Sequence, residues 1–178
     1  MEDFVKEILF TPEQIAQRVQ EMGEEISRDY GEEEVVFISV LKGAMVFTAD
    51  LIRCIQSPVI LDAMVASSYG SGTESSGEVK IKLDCSTDIR GKNIIVVDDI
   101  IDTGTTLMRL CQLLQERQPK SLKSCAFLDK PSRRKVDFAA DYVGYAIPDA
   151  FVIGYGLDYD GRYRDLPFAG VLKETYTH

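Results

Sequence analysis

Three carboxylates within five residues, Asp98, Asp99 and Asp102, run straight into Thr103, Gly104, Thr105 and Thr106, and this is the stretch of the chain best equipped for chemistry. The Thr/Gly run offers hydroxyls and main-chain amides. Beyond it, Leu107, Leu110, Cys111 and Leu114 recur at helical spacing. A turn that opens a helix gathers unpaired N–H groups at the positive end of the helix dipole, which makes an anion site. Acids beside such a site do not suit a bare phosphate; they suit a ligand that also carries hydroxyls or a divalent cation. The combination predicts a sugar phosphate bound with metal. Helix capping needs one Asp or Thr and leaves three clustered acids unexplained.

The elements that must hold these residues follow from the hydrophobic pattern. Ile94-Ile95-Val96-Val97 is an unbroken apolar run and reads as a strand buried on both faces, as in parallel sheets. Val35 to Val40 reads as a second buried strand, running into Leu41-Lys42-Gly43 and a helix with Phe47, Leu51 and Ile55 inward. Val59 to Val65 and Leu122 to Leu128 are further strands, as are Phe151 to Gly154 and Phe168 to Leu172. Val79, Ile81 and Leu83 alternate with Lys80 and Lys82, a period-2 strand. The preceding Ser67 to Gly77 is mostly Ser and Gly, has little to bury, and is expected to be a mobile hairpin-like loop when nothing is bound. Thr11-Pro12-Glu13-Gln14 is a helix start with a capping box, and Ile15, Val19, Met22 and Ile26 line one face of that helix. Strand alternating with helix, without a repeat or a linker, predicts an α/β protein with a mainly parallel central sheet flanked by helices, one domain over residues 1–178.

Composition removes several classes of function. The chain has 178 residues, enough for a substantial core, and no apolar stretch of transmembrane length. Its start, MEDFVKEILF, is too acidic and too poor in hydrophobes for a secretory signal. A single histidine, His178, excludes a Ser-His-Asp triad, a Cys-His pair and histidine-rich metal sites, so acid–base work falls to carboxylates, Lys or Tyr. Cys54, Cys85, Cys111 and Cys125 are widely spaced in or beside apolar segments and read as buried thiols in a reducing cytoplasm. A formal net charge of −9 without a basic block disfavours nucleic acid as a partner, and nothing suggests a membrane. Gly72 to Gly77 has the glycine spacing of a nucleotide-binding loop, but Glu78-Val79 stand where Lys and Ser/Thr are required. Asp158-Tyr159-Asp160-Gly161 likewise lacks the remaining acids of a calcium loop.

Four hydrophobes, two acids, two hydrophobes and D-T-G-x-T, read from Ile94 to Thr106 without a gap, resemble the signature of the type I phosphoribosyltransferases. Four further stretches resemble the hypoxanthine-guanine branch of that family. The likeness implies a Rossmann-like fold with a small hood built from the N- and C-terminal segments and a flexible active-site loop at Ser68-Tyr69. It implies Mg²⁺-dependent transfer of phosphoribose from 5-phosphoribosyl 1-pyrophosphate to a 6-oxopurine, giving IMP or GMP. Asp102 is then the general base, and Asp102, Thr103, Gly104, Thr105 and Thr106 bind the 5′-phosphate. Asp98 and Asp99 hold ribose hydroxyls or the metal. Lys42 and Gly43, in a turn whose bond before the lysine is often cis, hold pyrophosphate with Arg164. Lys130 donates to the purine's exocyclic oxygen, Phe151 stacks on the ring, the main chain at Val152 and Asp158 reads its edge, and the Asp158 carboxylate also binds metal. Arg133 and Arg134 read equally as purine-side cations or as a solvated basic turn. Some relatives carry lysine where this chain has Thr105, and the chain ends soon after Lys173, like compact bacterial-type members. The family also implies a dimer or tetramer. Two alternatives share the motifs: a xanthine-preferring transferase, and an RNA-binding regulator of pyrimidine genes, which would need a basic RNA face.

Overall fold

The computed structural model describes residues 3–68 and 79–176. Within them lie nine strands and three α-helices: β1 Val5–Phe10, α1 Pro12–Tyr30, β2 Val35–Val40, α2 Met45–Arg53, β3 Val59–Ser68, β4 Val79–Leu83, β5 Asn93–Ile101, α3 Thr105–Gln115, β6 Ser121–Asp129, β7 Tyr142–Ala146, β8 Val152–Ile153 and β9 Ala169–Leu172. Six strands form the central sheet in the order β4-β3-β2-β5-β6-β7, and three form a second sheet, β1-β9-β8. In the central sheet only β4 runs antiparallel to its neighbour; in the small sheet both pairings are antiparallel. The expected α/β architecture and the hood from both chain ends are what the fold contains. Tyr69, half of the expected active-site loop, lies outside the described residues; Ser68 closes β3.

Alternation along the strands sorts the core onto two faces. Val35 and Phe37 of β2 and Ile95 and Val97 of β5 pack toward α1 and α2. Val36, Ile38 and Val40, with Ile94 and Val96, pack toward α3. Every one of these residues is buried, which is why the strands read as continuous hydrophobic runs. Helix α1 begins at the predicted place: Gln14 N donates to Thr11 Oγ1 at 3.3 Å, and Thr11 N donates to Gln14 Oε1 at 2.9 Å. Such a cap contributes about 1 kcal/mol. Its inward stripe is Ile15, Val19, Met22 and Ile26.

Three details depart from the sequence reading. Helix α2 stops at Arg53, so Ile55 packs on the core from the segment beyond the helix. Strand β5 runs past Val97 to Ile101, so the paired acids stand within it and not after it. Phe151 and Phe168 lie outside the strands expected to include them, and Phe151 is exposed.

The sheet order sets the position of the functional end. β2 leads through α2 to β3 on one side, whereas β5 leads through α3 to β6 on the other. The two helices lie on opposite faces. The loops leaving the C-terminal ends of β2 and β5 therefore diverge, and a crevice opens between them, the usual ligand position in an open α/β sheet.

Candidate active site

The β2–β5 pairing ends at Ser39↔Val97, while β5 stays paired with β6 as far as Ile101↔Asp129. Asp98 and Asp99 stand at the point where β2 departs. They line a cavity of about 210 Å³ with Val40, Ala66, Ile100, Ile101 and the 102–104 turn. Asp98 Oδ1 accepts from Asp99 N at 3.0 Å, and Asp99 Oδ1 accepts from Ile100 N at 2.8 Å. Burial, followed by the adjacent Asp99 charge, raises the Asp98 carboxyl well above the ordinary range. Burial also raises Asp99, against the pull of hydrogen bonds and of the Arg164 charge. Two crowded carboxyls of this kind are relieved by a cation or by hydroxyl donors.

Next comes the turn to α3. Its N-cap is Gly104, at φ +83, which has no side chain to cap the helix. None of the three acids caps the helix; only Thr103 Oγ1 accepts, weakly, from the first amide, so the amides that follow are left for a ligand. The hydroxyls stay local: Thr105 N donates weakly to Thr103 Oγ1 at 3.4 Å. Asp102 is half-buried, and its Oδ1 accepts from Arg133 Nε at 2.6 Å.

A second loop comes from β2. The Leu41–Lys42 peptide is cis, and Leu41 N donates to Met64 O at 2.8 Å. Lys42 is exposed and Gly43 is buried. A Cβ on Gly43 would fall 1.6 Å from Asp99 Oδ2, and one on Gly156 would fall 2.2 Å from Gly43 O. The turn, the acid and the C-terminal segment are thus packed together with no room for a methyl group.

On the other side of Asp102, Lys130 is almost fully buried at the end of β6, and its Nζ lies 3.9 Å from Asp149 Oδ1. Arg133 Nη1 donates to Asp149 Oδ2 at 3.3 Å. Phe151 is 46% exposed and meets Tyr159 edge-on at 5.4 Å, so it is a free aromatic face and not part of the core. Val152 is buried in β8. Asp158 pairs with Arg164 at 2.6 Å and accepts from Gly161 N at 2.8 Å, while Arg164 Nη1 donates to Gly156 O at 2.5 Å.

The predicted residues therefore fall into two groups, Asp98 to Thr106 with Lys42 and Gly43, and Lys130 with the 151–164 segment, joined where Gly43 packs between Asp99 and Gly156 and where Arg133 bonds both Asp102 and Asp149. Among the described residues no three His, Cys, Asp or Glu side chains converge closely enough to hold a metal unaided. A hard carboxylate pair still suits Mg²⁺, which binds through one or two carboxylates and takes its other oxygens from water and substrate phosphates. Sequence reasoning missed Asp149 and Gly156 and left Arg133 and Arg134 undecided. The only available signal was the position of the Arg-Arg pair just after Lys130.

Residues 6–160 match the family model described as the phosphoribosyl transferase domain. A hypoxanthine-guanine phosphoribosyltransferase of Bacillus subtilis is 49% identical over 97% of this chain and 96% of its own length. One from Streptococcus thermophilus is 47% identical over 98% and 97%. Among solved structures, a hypoxanthine phosphoribosyltransferase of Staphylococcus aureus superimposes with a TM-score of 0.95 at 45% identity, covering 99% of this chain and 96% of the other.

Proposed function

This chain belongs to the phosphoribosyl transferase domain family, and from that premise we propose that it transfers the 5-phosphoribosyl group of 5-phosphoribosyl 1-pyrophosphate to N9 of hypoxanthine or guanine, releasing pyrophosphate and giving IMP or GMP. The observation that carries this reading is the glycine-capped start of α3, which no carboxylate caps, beside a crowded, partly buried carboxylate pair. A phosphate, two ribose hydroxyls and a cation satisfy both features at once. The names of the B. subtilis, S. thermophilus and S. aureus relatives support the purine as acceptor.

In this assignment the amides and hydroxyls of Thr103, Gly104, Thr105 and Thr106 bind the 5′-phosphate. Asp98 and Asp99 hold the ribose hydroxyls, and Lys42, Gly43 and Arg164 hold pyrophosphate. Asp98 with Asp99, and separately Asp158, would each hold Mg²⁺ together with oxygens of the donor, and the chemistry it would supply is neutralisation of charge on the departing pyrophosphate. Phe151 stacks on the purine and Lys130 donates to its exocyclic oxygen. A cationic donor at that position disfavours a 6-amino group, which has no lone pair to accept the bond. Asp102 takes the purine proton, at N7, as N9 attacks; Arg133 occupies only its Oδ1 and leaves Oδ2 open.

We place the enzyme in the cytoplasm, where its four unpaired thiols are stable, as one domain over residues 1–178 that assembles as a homodimer or homotetramer. No described helix is long and apolar enough to cross a membrane. The deciding experiment is an assay with 5-phosphoribosyl 1-pyrophosphate, Mg²⁺ and, in turn, hypoxanthine, guanine, xanthine and adenine. Nucleotide formed from hypoxanthine or guanine, and not adenine, is expected. Faster turnover of xanthine would move the chain to the other specificity, and no turnover of any base would overturn the reading.

A further inference from the structure

The amides that open α3 are aimed by a segment on a different strand connection. Arg134, Lys135 and Arg133 follow β6 and meet the 102–104 turn from behind with three hydrogen bonds. Arg134 Nη1 donates to Asp102 O at 2.7 Å, Lys135 N donates to Thr103 O at 3.0 Å, and Arg133 Nε donates to Asp102 Oδ1 at 2.6 Å. Arg134 also pairs with Asp129 at the end of β6, and both side chains of that pair are mostly buried. Its stem lies against Gly104, where a Cβ would fall 2.8 Å from Arg134 Cδ.

Peptide planarity turns these contacts into an orientation. In a trans peptide the C=O and the following N–H point in opposite directions. The bonds on either side of Thr103 are trans. Holding the Asp102 and Thr103 carbonyls toward Arg134 and Lys135 therefore turns the N–H groups of Thr103 and Gly104 the other way, toward the cavity that Thr103, Gly104 and Thr106 line. Neither amide donates to another described residue. Two consecutive amides turned the same way form an anion-binding nest.

We propose that Arg134 is a positioning residue for anion binding: its guanidinium, anchored on Asp129, fixes the Asp102 carbonyl and so presents the Thr103 and Gly104 amides to a phosphate. The proposal deepens the functional reading above and rests on it for the phosphate's identity as that of the ribosyl donor. A cationic fork is the group the task requires. It spans one carboxylate and one carbonyl at once, and lysine at the same position reaches only one of them.

The test uses the full-length protein with Arg134→Met and Arg134→Lys. Loss of a hydrogen bond from a charged group predicts that Arg134→Met raises KM for the ribosyl donor by about ten- to a hundredfold. The KM for hypoxanthine should stay within about twofold, with Arg134→Lys falling between Met and wild type. A separate titration with inorganic phosphate, followed by amide chemical shifts, should show the same ranking and place the perturbed amides at Thr103 and Gly104. If the wild type binds phosphate in this way but forms no nucleotide, the functional reading fails and the nest stands. If phosphate and donor binding are unchanged in Arg134→Met, if both substrates weaken together in proportion to lost thermal stability, or if the wild type binds no phosphate, the proposal is overturned.

Discussion

Gly43→Ala tests the site with the smallest possible perturbation, a single methyl group. The added Cβ would sit 1.6 Å from Asp99 Oδ2, 2.5 Å from its Cγ and 3.3 Å from its Cβ. The carboxylate oxygen must retreat by about 1.4 Å to regain even 3.0 Å, and the close approach to Cγ means that a turn about the carboxyl bond alone does not suffice. Asp99 must leave its rotamer and give up the bond from Ile100 N. The loop cannot withdraw instead, because Gly43 O is already packed on Gly156, where a Cβ would come within 2.2 Å of it. Gly43 does not have a left-handed φ, so alanine imposes no backbone penalty there. A displacement of about 1 Å at a reacting centre costs about 10²-fold in rate, equivalent to about 2.7 kcal/mol of transition-state stabilisation. Steady-state kinetics with the ribosyl donor and hypoxanthine should therefore show kcat/KM reduced by about that factor, with Tm lowered by only a few degrees. Combining Gly43→Ala with Asp99→Ala should cost little more than Asp99→Ala alone, since both act through one carboxylate. Wild-type kinetics in Gly43→Ala, or additive losses in the double variant, would refute the assignment of Asp99.

Other perturbations separate the remaining roles. Asp102→Asn keeps the shape of the turn and removes the base; kcat should fall about 10²–10⁴-fold in a spectrophotometric assay, and near-normal turnover would remove the assignment. Lys42→Ala should raise the donor KM with a smaller effect on kcat, checked by varying the donor at saturating purine. Asp62 supports the fold at a distance from the chemistry. Burial works to raise its carboxyl, but donors from Thr87, Ala63 and Ser86 outweigh it and hold the group down to about 2. A depressed carboxyl contributes stability that is fully present above its unfolded value near 4 and is lost as pH falls toward 2; the difference is worth about 2 kcal/mol. Denaturant melts of wild type and Asp62→Ala should therefore differ by about that amount at pH 7 and converge near pH 2.

What the sequence showed and what it hid follow from the range of the interactions. β2 and β5 were legible because burial on both faces leaves near-continuous apolar runs, and β6 by its buried Cys125 to Leu128 stretch. β1 was not: it sits in the hood with Lys6, Glu7 and Ile8 exposed, so VKEILF has no alternation to read. β7 was hidden by Gly144, which suggests a break. The structure needs that glycine because a Cβ there would come within 2.3 Å of Phe127 O on β6. The Asp98–Thr106 cluster was visible because its chemistry is contiguous in the chain. The role of Arg134 was not, because one of its partners lies 32 residues away across a strand connection. Gly156 carried no local signal either, since only the approach of Gly43 O makes it necessary.

The pairing of two adjacent acids is itself explained by the strand that carries them. Successive side chains of a strand leave it on opposite sides, so the two acids start from opposite sides of β5, after Ile94 to Val97 have alternated between the α3 and α2 faces, and both carboxylates line the one cavity. The charges they feel agree with this. The Asp98 charge reaches Cys111 on α3, whereas Asp99 feels Arg164 and touches Gly43. The two carboxylates therefore meet the same cavity with different neighbours, Asp98 nearer α3 and Asp99 against the lysine–glycine turn. An acid two positions earlier, at Val96 or Val97, would be fully buried between the layers with no partner, and the cost of that burial forbids it. Where β5 loses β2, its residues remain in the strand and line the cavity, Asp98 and Asp99 first and then Ile100 and Ile101. The same divergence of β2 and β5 that opens the crevice thus sets both acids in its wall, where a bound cation or hydroxyls can reach them.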